Sequence, residues 1–209
     1  MISVTFEPKS GFRPPPRASA IGFWLVLAAL GMLFISSMLL YTLMRTHVFG
    51  RISDKSVEMP YLAWGSTVVL LAASFTIHRS VAAIRRERLA TCLRFLYITS
   101  ALAVVFLILQ SPCMAQVLAE HRQFRDAAAA NKVPGEFAPV SIYGLVFILI
   151  LLHALHVVGG IVALAVVTWR ARNHAYDHEN YMGIQFAARY WHFLDIVWLS
   201  MFTMFLALG

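Results

Sequence analysis

Residues 140–169 read VSIYGLVFILILLHALHVVGGIVALAVVTW, thirty positions without an Asp, Glu, Lys or Arg, closed by Arg170. As a helix at about 1.5 Å per residue, such a stretch exceeds the ~30 Å hydrocarbon core of a bilayer. Backbone groups in lipid must find partners within their own segment, and the run lacks the alternation of a barrel strand, so helix is the reading. Four more apolar segments lie outward from it, at about 20–44, 61–84, 95–117 and 190–208. The sequence therefore predicts an all-α integral membrane protein, five transmembrane helices in a bundle. A tail over 1–19 would precede one membrane domain over 20–209.

Composition agrees. The 209 residues are 60% hydrophobic and 13% charged, against roughly 45–50% and about 25% in soluble domains. That excludes intrinsic disorder, a nucleic-acid-binding arm and a small disulfide scaffold. The net charge of +7 is read as loop topology rather than as a nucleic-acid partner. Eleven of the seventeen Lys and Arg fall in the tail, the second-to-third loop and the fourth-to-fifth loop, and six fall in the other two. The positive-inside rule then places the N-terminus in the cytoplasm and the C-terminus outside. Cys92 and Cys113 are 21 positions apart in one segment. In a helix they stand about 30 Å apart, too far to bond. No signal peptide is expected, because the start is polar, with Pro14, Pro15 and Pro16, and the first apolar run is too long.

Pro112 is expected to kink the third helix or mark its outer end. Gly159 and Gly160 would admit a close helix neighbour. The segment from Glu120 to Pro139 is expected to form a short helix or cap outside the membrane.

Polar residues inside the spans carry the information, since each costs free energy in hydrocarbon. They are Gln110, His153, His156, His192 and Asp195, with some Ser and Thr. The His153/His156 and His192/Asp195 pairs are each spaced by three, so each pair shares a helix face. Asp195 is the only carboxylate well inside a span, and a buried ionised carboxylate needs a partner. Haem ligation by His153 or His156 with His192, a proton relay, and a structural role compete. The relay lacks a chain of groups, and His192 lies only two residues into its expected span. The structural reading is preferred: His, Trp and Arg near the interface tie helices and meet lipid headgroups. Arg85, Arg86 and Arg88 are read as solvated charges that set topology, with an anionic-lipid or partner site secondary. His121, His174 and His178 have no zinc-site support.

The string Tyr190-Trp191-His192-Phe193-Leu194-Asp195-Ile196-Val197-Trp198 resembles the last-helix signature of haem–copper oxidase subunit III, close to Y-W-H-F-V-D-x-V-W. Residues 152–160, LHALHVVGG, are similar to that family's H-G-x-H-V-x-x-G stretch, and Gly22-Phe23-Trp24-Leu25-Val26-Leu27 to its G-x-W-L-F-L opening. Gln110 sits where its Q-x-x-E would begin. The resemblance covers all five spans and, at this length, implies the five-helix form of the family.

It implies a bundle beside the catalytic subunit I, with subunit II and small subunits as further partners and haem and copper on those partners. No cofactor or metal is implied on this chain, only bound phospholipid in an interhelical cleft. His153, His156, Trp191, His192 and Asp195 would form the polar cluster around that cleft. The implied complex is a proton-pumping cytochrome c oxidase in a prokaryotic cell membrane, with cytochrome c as donor to the complex. A quinol oxidase, a nitric oxide reductase accessory subunit and, from another class, a haem b membrane anchor of a dehydrogenase are the alternatives. Leu30, Cys113 and Gln185 stand where the family often has carboxylates. A structural, lipid-organising role survives those exchanges, because it needs packing and headgroup contacts rather than titration.

Overall fold

A computed structural model describes residues 16–48, 61–131, 137–173, 176 and 181–208. Residues 1–15 and 49–60, His174 and His178 lie outside the described residues, as do the side chains of Cys113 and His121. Five helices follow in order: α1 (Pro16–Leu43), α2 (Tyr61–Ile84), α3 (Leu89–Asn131), α4 (Phe137–Arg172) and α5 (Met182–Leu208). A π-helical turn, Met44–Val48, continues α1. All five contain a stretch long and apolar enough to cross a membrane. Several hydroxyls inside the spans turn back onto their own helices. Thr42 donates to the Met38 carbonyl at 2.9 Å and Ser66 to that of Ala63 at 2.9 Å, which satisfies them without water.

The element limits differ from the apolar runs. α1 starts at Pro16, whose fixed φ and missing N–H suit a first helical position. α3 starts at Leu89 and continues through Pro112 to Asn131, without ending at the proline or at 117. The stretch after Glu120 is thus a continuation of α3 up to Asn131, not a separate short helix or cap. α5 starts at Met182, eight residues before the last apolar run. His192 therefore sits well inside its helix rather than two residues from its start.

α2, α3, α4 and α5 form a four-helix arrangement in which α2 packs on α3 and α5, and α4 on α3 and α5; α1 lies against α4 and α5. The main core includes Leu70, Ile77, Leu96, Phe106, Leu164 and Trp191. A second, smaller core joins Phe34 and Tyr41 of α1 to Leu149 of α4 and Met201 and Phe205 of α5. Between α2 and α3 the chain turns tightly. The N–H of Arg88 reaches the Ala83 carbonyl at 3.0 Å and that of Glu87 the Ile84 carbonyl at 3.0 Å. Glu87 holds the left-handed φ of 60° that this helix-ending motif requires.

Candidate functional site

The polar interior is built on α5. Trp191, Leu194, Asp195 and Trp198 occupy its buried face, spaced to return to one side of a helix. The five expected site residues fall into three settings along it.

His153 of α4 is walled by rings. It stacks on Trp198 with centroids 5.5 Å apart, and Phe34 and Phe106 each meet it edge-on at 6.3 Å. It is 2% exposed, and neither ring nitrogen has a hydrogen-bond partner among the described residues. A haem plane on His153 would have to displace Trp198 or a phenyl ring. His156, one turn on, donates from Nδ1 to the carbonyl of Leu152 at 2.6 Å and lies against Phe34. Its own carbonyl accepts from the Tyr190 hydroxyl at 3.1 Å, which ties α4 to α5.

Trp191 is buried against Gly160. A Cβ on Gly160 would stand 2.9 Å from the indole ring and 3.1 Å from Leu194. The glycine is what lets α4 and α5 approach this closely.

His192 and Asp195 face α2. His192 Nδ1 shares a 2.7 Å hydrogen bond with the Ser74 hydroxyl, and the same nitrogen lies 3.5 Å from an Asp195 carboxylate oxygen. Asp195 is buried, and neither of its oxygens makes a hydrogen bond among the described residues. Ser74, His192 and Asp195 have the composition of a hydrolytic triad without its geometry. Serine and carboxylate both address Nδ1, so no proton path crosses the ring as such catalysis needs.

The structure thus joins His192 with Asp195 and seats His153, His156 and Trp191 along the α4 side. It also supplies partners that pattern reading passed over. Thr67 accepts a bond from Trp198 Nε1 at 3.0 Å, and Ser66 accepts one from Gln110 at 3.2 Å. The available signal was spacing: Thr67 and Ser74 lie seven apart on α2, opposite Trp198 and His192, six apart on α5. Among the described residues, no group of three or more His, Cys, Asp or Glu is placed to hold a metal ion.

These features define a helical membrane protein in which several interior polar groups fasten helix to helix. Sequence comparison makes the assignment specific. A family profile described as "Cytochrome c oxidase subunit III" matches residues 21–209, and the chain belongs to that family. It is 26% identical over 207 residues to cytochrome c oxidase subunit 3 of Synechocystis, covering 97% of this chain and 82% of that one. It is 27% identical over 192 residues to cytochrome bo(3) ubiquinol oxidase subunit 3 of Pseudomonas aeruginosa, covering 91% and 85%. A probable cytochrome c oxidase subunit 3 of Mycobacterium bovis is 28% identical over 190 residues, covering 90% and 87%.

Proposed function

We propose that the chain works as subunit III of a cytochrome c oxidase in a prokaryotic cell membrane, N-terminus in the cytoplasm. It packs beside the catalytic subunit, prolongs its working life and organises phospholipid between its helices, with no redox centre of its own. One observation carries this reading: Ser74–His192, Thr67–Trp198, Ser66–Gln110 and Tyr190–His156 all join different helices. Such groups hold a shape. His153 and Trp191, fully enclosed, serve as wall and spacer, while the partly exposed His156 and His192 are the members a headgroup can reach.

In the purified complex, Asp195→Ala and His156→Ala should lower co-purifying phospholipid and shorten the time for which turnover is sustained. Unchanged lipid and unchanged lifetime refute the proposal. The Pseudomonas relative, named as a ubiquinol oxidase subunit, supports a quinol-oxidising complex as the second reading. Turnover with reduced cytochrome c against turnover with quinol separates the two. Stoichiometric haem in the spectrum of the isolated chain would instead favour a haem anchor.

A further inference from the structure

Between α2 and α5, at the end of the bundle that carries the α2–α3 turn, lies a half-open pocket of about 180 Å³. Its walls are two facing stripes. His78, Val81, Ala82 and Arg85 come from α2 and the turn; Gln185, Ala188, Arg189 and His192 come from α5. Each set has the spacing i, i+3, i+4, i+7, the signature of one helix face. The helices run in opposite directions, so Arg85 and Gln185 stand at the mouth. At the inner end His78 faces His192, with ring centroids 6.3 Å apart. Ala82 and Ala188 are small enough to leave the space between them open.

We infer that this pocket binds a phosphate-bearing anion. Two arginines and two histidines line it from opposite walls, and among the described residues no carboxylate does. Asp195 sits behind His192, against its Nδ1, and that contact leaves Nε2 available. The guanidinium groups are held in place. Arg85 lies 5.6 Å over the Tyr181 ring and Arg189 5.7 Å over the Trp24 ring. A pre-positioned guanidinium loses less freedom when it binds an oxyanion, and its fork suits two oxygens at once. Two positive charges in the lining, Arg85 and Arg189, exclude a metal cation. Gln185 supplies an amide and no charge, so no described lining residue neutralises the pair. Donors arriving from two walls and a floor suit a tetrahedral oxyanion better than a planar one. The same chemistry is offered by a phospholipid headgroup and by free phosphate.

This site shares only His192 with the cleft cluster, so the two readings fail separately. The test uses the purified oxidase complex containing the full chain, stripped of lipid by detergent, in wild-type, Gln185→Glu and Gln185→Leu forms. One arm measures radiolabelled inorganic phosphate by equilibrium dialysis. The other reconstitutes the complex with vesicles of phosphatidylglycerol in phosphatidylcholine and counts anionic lipid retained on re-extraction. A carboxylate placed in the lining should weaken binding about tenfold, while Gln185→Leu, which adds no charge, stays within about twofold. Discrimination in the phosphate arm identifies a free anion. Discrimination in the vesicle arm alone identifies a headgroup. Equal binding by all three forms in both arms, or a loss in Gln185→Leu as large as in Gln185→Glu, overturns the proposal.

Discussion

The two sides of α5 are held by different chemistry. Toward α2 it is fastened by hydrogen bonds, His192 to Ser74 and Trp198 to Thr67. Toward α1 the shared core is apolar and aromatic: Phe34, Tyr41, Val197, Met201 and Phe205, with Tyr41 perpendicular to Phe205 at 5.5 Å. In water both would be stabilised by apolar burial. In lipid that driving force between helices is absent, and close packing and hydrogen bonds remain. The difference shows in coverage. Of the most apolar window of each helix, 44% is buried in α5 and only 11% in α1. The polar side fixes which helices are neighbours; the apolar side depends on fit alone.

That contrast can be broken most severely where α5 meets α4. Gly160→Val would drive a side chain into Trp191 and Leu194 and should cost about 3 kcal/mol. Thermal unfolding of the detergent-solubilised chain would report it as a large drop in midpoint. On the α1 seam, Phe34→Ala leaves a cavity among His153, His156 and Met201. A loss of about 2 kcal/mol is expected, below the soluble-core figure because lipid supplies part of the lost contact. Limited proteolysis should then release α1 while α2 to α5 stay protected, which would confirm that α1 is the separable helix. On the polar side, Trp198→Phe and Thr67→Val should each cost about 0.6–1.5 kcal/mol. A double-mutant cycle should give a coupling of similar size, whereas additive losses would remove the bond from the account. Smallest of all, Ile35→Ala on the outer face of α1, where Ile35 is 67% exposed, should change the isolated chain's stability by under about 0.5 kcal/mol.

Much of this was legible in the sequence. Five apolar runs gave five helices long enough to cross a membrane, and Asp195 stood out as the lone interior carboxylate and is indeed buried. What was not legible follows from how apolar runs are read. They mark where side chains turn polar, not where backbone hydrogen bonding stops. α5 therefore begins at Met182, through Gln185 and Arg189, and α3 continues past Glu120. Pro112 stays inside α3 because proline withholds a single N–H, a loss one helix can accommodate. Pairing across helices was invisible for another reason. Ser74 and Thr67 look like ordinary small residues of a span, and only the facing of α2 and α5 gives them partners. The expected cleft cluster was legible as a set of residues but not as an arrangement, since Trp191 and His153 are enclosed among rings and a glycine.

The sparse packing of α1 bears on how the chain is made. α1 is translated first, yet the side chains that complete its core, Leu149, Met201 and Phe205, come from the last two helices. None of the described residues of that core comes from α2 or α3, while α2 and α3 can pair at once across their four-residue turn. Assembly in the membrane then runs out of step with translation. Of these five helices the earliest made is the last to be fully seated, and a chain cut short before α5 would leave its core half built.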